Sequence, residues 1–353
     1  MGILIKVANL SEDKEIMLKL LRDNRPNLPP DYPFEKRYKW LYEDNPYGKA
    51  IAWIAIDDSS SEIAGFTAAL PRKMSVLGKQ MLCWNCADFS INKKYRTLGA
   101  AIKLRRAAKD GVDSGEMPFL YAHPNDRMLV VHQKVGHLVI GKMIRYAKPL
   151  KLNKKTGEVF GENILSKSVS AVGNPILRIT SKEFFYKGKY ESSTFKGIQF
   201  GEEFSDFYEK FRKQNKVSGV RSDEYLNWKY LENPLYEAQT HLIRMNDELV
   251  GYIIYSADNE VAQVREVCYL GRDNADKYLL ASFLSYLRGQ AVCSVSFVLL
   301  DSNPFIDTLK HFGFKLRTDV SSSVIAYTSS SSELAEIVLD GQNWFMTVGD
   351  RDG

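Results

Sequence analysis

Cysteine is scarce in this sequence, and no second cysteine pair stands at metal-ligand spacing. The four cysteines are Cys83, Cys86, Cys268 and Cys293. The first two form a lone Cys-x-x-Cys inside a predicted strand, where residues three apart face opposite sides of a sheet. We therefore expect buried structural thiols, no metal site and a reducing, cytoplasmic environment.

Long apolar runs and dense basic clusters are also missing. No stretch approaches the length of a membrane-spanning helix, and residues 1–7 lack the apolar core of a signal peptide. The 48 basic and 43 acidic residues give a net charge of +5, and the basic ones are scattered along the chain. We expect a cytoplasmic protein with no membrane or nucleic-acid partner, and the small positive charge fits an anionic small substrate.

What the sequence does contain is a strand, a short basic loop and a helix around residue 96. Residues 81–91 are rich in apolar side chains and predict a strand, and residues 99–108 have apolar side chains at helical spacing. Gly99, Ala100 and Ala101 carry almost no side chain, and backbone N–H groups at a helix N-terminus converge on one spot that favours an anion. The junction therefore predicts a pyrophosphate site.

The pattern Arg96-x-x-Gly99-x-Ala101 after this strand resembles the acyl-CoA pyrophosphate loop of the GNAT N-acyltransferases. The resemblance implies acyl-CoA as the co-substrate and places its pantetheine arm along the preceding strand. The cofactor-binding residues that it implies are Phe89, Ser90, Ile91, Arg96, Thr97, Leu98, Gly99, Ala100, Ala101 and Asn125.

The next segment resembles the same family in two positions and departs from it in two. Asn125 begins a predicted helix and Gly136 ends it, as in the family pattern. The family places a tyrosine acid seven residues after that Asn and a Phe after that Gly, whereas here His132 and His137 stand there. His132 is therefore the candidate acid for the leaving thiolate, with a partly buried polar residue as the alternative.

For the base, the candidates are Asp88 on the strand and His123 at the end of the next one. Asp88 could equally cap a turn, and His123 could be fixed by Pro124. An acceptor amine of mild basicity would need no protein base, because acyl transfer from a thioester mainly requires positioning and a donor for the oxyanion.

An internal repeat divides the chain. The segment Trp-x-Tyr-x-x-Asn-Pro at residues 40–46 recurs at residues 228–234, and the Gly136-His137 pair is echoed by Gly313-Phe314. We predict an α/β protein of two tandem GNAT-like domains, each with a mixed, mostly antiparallel sheet flanked by helices. Residues 1–150 would bind acyl-CoA, 151–199 connect, and 200–353 form a degenerate copy that lacks the loop and shapes the acceptor site.

Several elements are predicted outside the junction. They are a strand at 3–7, a helix at 11–22 capped by Ser11, a helix at 34–42, strands at 50–57, 63–71, 73–77, 119–122 and 141–146, and a final edge strand in the tail from residue 341. That tail could carry Trp344 or Asp350 into a substrate cleft.

The resemblance implies an acyl-CoA-dependent N-acyltransferase acting on a small amine acceptor. Tandem proteins of this kind favour a nucleotide-linked amino sugar of the amino-deoxyhexose type, used for surface polysaccharide. Two alternatives stay open. A Fem-type peptidoglycan transferase would use aminoacyl-tRNA and would not need the loop at residues 96–101, and a non-catalytic GNAT-fold protein would bind no acyl donor. CoA binding separates them.

Overall fold

The computed structural model describes residues 2–96, 98–151, 181–258 and 260–352. The strands are β1 Ile3–Val7, β2 Ile51–Asp57, β3 Ile63–Val76, β4 Lys79–Ile91, β5 Phe119–Ala122, β6 Leu138–Pro149, β7 Glu191–Lys196, β8 Val217–Gly219, β9 Gln239–Met245, β10 Glu248–Asp258, β11 Val261–Tyr269, β12 Ser294–Leu300, β13 Lys315–Thr328 and β14 Trp344–Phe345. The α-helices are α1 Lys14–Asn24, α2 Phe34–Tyr38, α3 Leu98–Asp113, α4 Asp126–Lys134, α5 Glu202–Phe211, α6 Asp223–Leu226, α7 Ala275–Arg288, α8 Phe305–His311 and α9 Ala335–Val338.

The predicted start of the first helix is wrong by several residues. Helix α1 follows Asp13, and Ser11 lies before it in a turn where the Asn9 side chain accepts a hydrogen bond from the Ser11 N–H at 3.0 Å. The Asp13 carboxylate closes the turn by accepting from the Asn9 N–H at 2.8 Å. Ser11 therefore does not cap the helix, because the side chain of Asn9 holds its backbone N–H in a turn before the helix begins.

Strand β3 continues through Pro71, although the sequence predicted a break at this residue. Pro71 pairs with Trp84 of β4 on one side. On the other side Ile51, the first residue of β2, pairs with Ala69, and Gly219, the last residue of β8, pairs with Met74. The proline stands in the gap between these two partners, where no neighbouring strand requires its missing N–H.

Within the described residues, the strands form one mixed sheet of 14 strands, mostly antiparallel and flanked by helices, which confirms the predicted α/β class. Along its main path the order is β1-β2-β3-β4-β5-β13-β6-β12-β11-β10-β9-β7. At the centre β13 lies between β5 and β6, so a strand from late in the chain separates two strands from the first 150 residues. Strand β6 in turn pairs with β12. Each half of the chain thus completes the sheet of the other.

The division at residues 150 and 200 stays a prediction. Most of the predicted connector, residues 152–180, lies outside the described residues. The described end of it forms β7, which pairs with β9 at the edge of the sheet.

The repeated Trp-x-Tyr segment folds in the same way in both halves and joins them. In each copy a short α-helix passes into a π-helical turn, Lys39–Glu43 after α2 and Asn227–Leu231 after α6. The Trp40 and Trp228 rings stack with centroids 5.1 Å apart. The Trp40 indole donates to the Trp228 carbonyl at 2.8 Å, and the Trp228 indole donates to the Trp40 carbonyl at 3.0 Å. The repeat is therefore a reciprocal contact at the centre of the largest hydrophobic core.

The four cysteines are buried thiols, as predicted. Burial raises the pKa of Cys83 well above its usual range, because the thiolate would be desolvated. In the part of the chain that the structure describes, no helix is long and apolar enough to cross a membrane.

Candidate functional site

A gap between β4 and β5 forms the candidate site. The two strands run parallel and pair as far as Cys86 and Ala122, where β5 ends while β4 continues to Ile91. Just beyond that point Asp88 is an extra residue, because Ala87 pairs with Ala68 and Phe89 with the adjacent Thr67 on β3. Its φ of 28° lies in the left-handed region. This bulge bends β4 away from its neighbour.

The gap contains a cavity of about 280 Å³, which we call the strand-gap cavity. Its lining residues are Asn24, Arg25, Cys86, Ala87, Asp88, Phe89, Ser90, Arg105, Ala122, His123, Pro124, Asn125, Met128, His132 and Asp352. The structure thus brings the three predicted catalytic residues into one cavity with Phe89, Ser90 and Asn125. Ile91, at the end of β4, does not line it.

Helix α3 begins near this cavity, because Arg96, just before it, contacts Asn24 of the cavity lining. Arg96, Gly99, Ala100 and Ala101 are not themselves among the lining residues, and Gly99 is the exposed residue of the first turn. A Cβ atom added at Gly99 would meet no other atom within 4 Å, so the space in front of the backbone is open. Ala100 and Ala101 are buried, and they hold the helix against the sheet. Arg96 is exposed and donates a hydrogen bond to the Asn24 side chain. Thr97 and the Leu98 side chain lie outside the described residues.

A second cavity of about 470 Å³ adjoins the first and is called the tail cavity here, because the chain's last residues line it. Its lining residues are Arg25, Tyr32, Arg37, His123, Pro124, Asn125, Asp126, Leu235, Ser321, Ser322, Arg351 and Asp352. Five of them also line the strand-gap cavity: Arg25, His123, Pro124, Asn125 and Asp352. The two cavities therefore meet at a shared neck.

Asp88 is held at the centre of an ion-pair cluster. Arg37 lies 2.7 Å from one carboxylate oxygen, which also accepts from the Tyr42 hydroxyl at 3.0 Å, and Arg25 pairs with the other oxygen. Burial opposes ionisation of this carboxyl, but the two guanidinium groups outweigh it and hold its pKa below the usual range. Both oxygens are occupied, so Asp88 orients the two arginines that border the neck.

His123 stands at the neck with both ring nitrogens free of hydrogen-bond partners among the described residues. Burial, together with the positive charge of Arg351, lowers the pKa of His123 to about 3. The imidazole is therefore neutral at pH 7, with one nitrogen able to accept a hydrogen bond. Asn125, two residues later, caps α4 by accepting a hydrogen bond from the Met128 N–H at 3.0 Å.

His132 and His137 form a buried pair. Their Nδ1 atoms lie 2.7 Å apart, so one ring donates and the other accepts. Burial lowers the pKa of His132 well below its usual value, and the Arg105 guanidinium adds to this effect. The pKa of His137 falls to about 3 for the same reasons. Both rings are neutral at pH 7.

This pair predicts a pH dependence of stability. In the unfolded chain histidine has a pKa of about 6.5. Below that pH the unfolded state therefore binds protons that the buried pair in the folded state does not bind. Stability is then fully present above pH 6.5 and is lost as the pH falls towards the folded-state pKa, by about 1.4 kcal/mol per pH unit for each histidine. In the His137→Leu variant we expect the dependence of stability on pH between about pH 6 and pH 4 to be shallower by about this amount for one histidine. Urea unfolding at several pH values measures it, and an unchanged slope would contradict the assignment.

Sequence reasoning missed the charged residues that the tail brings into the site. The Asp350 side chain pairs with Arg72 at 3.1 Å and with Arg221 at 2.8 Å, and its carbonyl accepts from the Tyr121 hydroxyl at 2.9 Å. This places the following residues, Arg351 and Asp352, in the tail cavity. The tail forms the predicted final edge strand, the short β14, which pairs with β8. Its unusual aromatic run was the one signal that it is buried.

Comparisons with known proteins bear on the fold. The sequence matches no protein-family model, and a search of curated proteins gave no significant match. Among solved structures, the GCN5-related N-acetyltransferase of Anabaena variabilis ATCC 29413 is 15% identical, with a TM-score of 0.66 over 92% of this chain and 72% of that one. A protein of Enterococcus faecalis V583 described as a probable N-acyltransferase is 13% identical, with a TM-score of 0.66 over 93% of this chain and 73% of that one.

A further solved structure covers nearly the whole of this chain. The N-myristoyltransferase of Saccharomyces cerevisiae, solved with bound myristoyl-CoA, is 10% identical, with a TM-score of 0.56 over 99% of this chain and 84% of that one. At these identities the likeness concerns the backbone architecture. It shows that the chain has the fold of the GCN5-related N-acetyltransferases.

Proposed function

We propose that this protein is an acyl-CoA-dependent N-acyltransferase that transfers an acyl group to the amine of a small acceptor. The observation that carries the proposal is the gap between β4 and β5, which opens at a bulge and lies beside the exposed first turn of α3. A gap of this kind offers unpaired strand backbone next to helix N–H groups, which suits a long ligand with a pyrophosphate at one end. The similar proteins described as N-acyltransferases support it.

The acyl donor would lie along the gap. Its pyrophosphate would meet the backbone of residues 98–101, with Arg96 and Thr97 beside it, and the pantetheine arm would follow Phe89, Ser90 and Ile91. Beyond Cys86 and Ala122 no β5 residue pairs with β4, so this stretch of β4 faces the cavity rather than another strand. The thioester would then stop where the two strands close together, at the neck.

The chemistry required at the neck is modest. The amine nitrogen attacks the thioester carbonyl carbon, the carbon–sulfur bond breaks, and the thiolate departs with the electron pair. His123 is neutral and without a partner there, so it can accept a hydrogen bond from the amine. Asp88 would act through Arg25 and Arg37, since its oxygens are already occupied. The neutral His132 can supply an N–H to the leaving sulfur.

The acceptor would enter through the tail cavity. Its walls come from both halves of the chain, including Leu235, Ser321 and Ser322 from the later half, which is the role proposed for residues 200–353. The arginines there suit a phosphate, so a nucleotide-linked amino sugar is our proposed acceptor. The cytoplasmic location, the division into two domains and the absence of membrane and nucleic-acid partners stay predictions.

The Gly99→Val variant tests donor binding. We expect the wild-type protein to bind CoA in isothermal titration calorimetry and the variant to lose at least about tenfold in affinity, because a branched side chain would stand where the pyrophosphate approaches the backbone. The open space at this position means that the fold itself should tolerate the change.

Gly201→Val is the matched control. Gly201, like Gly99, stands at the N-terminus of a helix and has no atom within 4 Å of an added Cβ, but it caps α5, a different helix far along the chain. CoA affinity should be unchanged in this variant. Failure of the wild-type protein to bind CoA would favour an aminoacyl-tRNA-dependent transferase or a non-catalytic protein, and would end the proposal.

A further inference from the structure

Arg105 is a buried cation that the donor-binding scheme above leaves without a role. It projects from α3, only 2% exposed, and lines the strand-gap cavity. Its Nη2 donates to the Thr67 hydroxyl at 2.7 Å, and the guanidinium lies over the Phe89 ring at 5.5 Å. The remaining nitrogens, Nε and Nη1, are buried without a hydrogen-bond partner among the described residues.

Other buried arginines of the protein are paired with carboxylates. Arg37 has Asp88, and both Arg72 and Arg221 have Asp350. In the described part of the chain no carboxylate lies within ion-pair distance of Arg105. A buried charge without a counter-charge costs free energy, so a fold that retains one gains from an anion that the protein itself does not provide.

The position of Arg105 relative to the two cavities indicates which anion it would pair with. Arg105 and His132 line the strand-gap cavity but not the tail cavity, whereas His123 and Asp352 line both. An amine arriving from the tail cavity therefore reaches the thioester from the neck. The sulfur must leave on the opposite side, towards the two residues that only the strand-gap cavity reaches.

We propose that Arg105 is the counter-charge for the CoA thiolate, a catalytic residue that rests on the proposed acyltransferase function. When the nitrogen–carbon bond has formed and the carbon–sulfur bond breaks, the electron pair goes to sulfur. The free guanidinium N–H groups stabilise that negative charge as it develops, and Arg105 stays protonated throughout. The surplus proton of the amine leaves to water in the tail cavity.

The groups packed around Arg105 leave this charge unopposed. Arg105 faces Cys86 on β4, His132 on α4 and His137 just before β6. Burial raises the pKa of the thiol, although the charge of Arg105 acts against this, and burial lowers the pKa of both histidines, so all three groups are neutral at pH 7. The carboxylate that lines the same cavity on β4, Asp88, is already matched by two guanidinium groups. Asp352, on the tail, lies 3.9 Å from Arg37.

The test is the titration of the CoA thiol bound to the full-length protein, followed by the ultraviolet absorbance of the thiolate. Free thiols titrate at about 8.5, and a cation in contact should lower this value by about 1–3 units, so that the thiolate fraction near neutral pH rises about tenfold or more. We expect this shift in the wild-type protein, its loss in Arg105→Met, and its partial return in Arg105→Lys. Arg106→Met removes the same charge from the neighbouring, exposed position and should leave the shift intact.

Calorimetry with CoA, acetyl-CoA and succinyl-CoA completes the design. If the wild-type protein and Arg105→Met both bind CoA with the same thiol pKa, this proposal is overturned while the proposed function stands. The proposal is also overturned if Arg105→Met keeps the lowered thiol pKa but loses affinity for succinyl-CoA alone. Arg105 would then bind a carboxylate on the acyl group rather than the thiolate. Absence of CoA binding to the wild-type protein overturns both. If Arg105→Met does not fold, Arg105→Lys is compared with the wild type instead. A lysine cannot contact the sulfur and Thr67 at the same time as a guanidinium can, so the shift in the thiol pKa should be smaller in this variant, and an equal shift would overturn the proposal.

Discussion

Replacing Arg221 by methionine is expected to lower the free energy of unfolding by about 3–5 kcal/mol. Arg221 is fully buried and pairs with Asp350 at 2.8 Å and with Glu266 at 3.1 Å. Its removal leaves two neighbouring buried carboxylates with one guanidinium fewer to compensate them. Urea or thermal unfolding of the whole chain measures the loss.

The loss of stability in Arg221→Met should also depend on pH. Burial opposes ionisation of Asp350, but Arg221 and Arg72 outweigh it and lower its pKa, while burial raises the pKa of Glu266 despite Arg221. Without Arg221 these carboxyls should take up a proton more readily, so the destabilisation should shrink as the pH falls. Arg272→Met is the control, because its exposed ion pair with Glu248 should contribute about 0–1 kcal/mol. Equal losses in the two variants would contradict the prediction.

The ion pairs of Arg221 with Asp350 and Glu266 should also affect function, because Asp350 anchors the tail. Asp350 fixes the tail, and the two residues after it line the tail cavity. An Arg221→Met protein that still folds should therefore bind CoA with nearly wild-type affinity, because none of the residues proposed to hold the donor belongs to the tail. It should lose turnover once an acceptor is known.

Trp228→Ala is expected to cost about 3–5 kcal/mol, and Trp40→Ala a similar amount. Each ring is at least 95% buried, and both rings belong to the same hydrophobic core. Each indole also donates to the backbone carbonyl of the other residue. Chemical unfolding of the single variants measures both losses.

The double variant tests whether these rings hold the halves together. Because they contact each other, the combined loss should differ from the sum by about 0.5–3 kcal/mol. Trp53→Ala provides the comparison, since Trp53 packs against Trp84 in a separate core cluster. Its loss should add to that of Trp40→Ala within about 0.5 kcal/mol. A strictly additive Trp40 and Trp228 pair would show that the repeat is not a coupled contact.

Local sequence signals located part of the candidate site. The strand ending at Ile91, the helix that begins near Gly99 and the Asn cap at 125 are each encoded within a few neighbouring positions, and the structure has all three. Their role in donor binding stays a prediction. Strands β1 and β5 have the predicted bounds for the same reason, because short apolar runs between polar turns leave few alternatives. The predicted position of Asp88 was correct, but its bulge, which opens the gap, depends on the pairing of β4 with β3.

The sequence by itself determined the α/β class, the repeated Trp-x-Tyr segment and the strand, loop and helix on which donor binding is proposed, since each depends on local conformation or on apolar periodicity. The tertiary structure alone decided that β13 enters between β5 and β6, that the tail delivers Arg351 and Asp352 to the site, and that Arg105 is buried without a carboxylate. The physical reason is that periodicity specifies which face of a strand or helix is buried but not which neighbour covers it. Pairing and charge compensation between residues hundreds of positions apart are settled only when the chain packs.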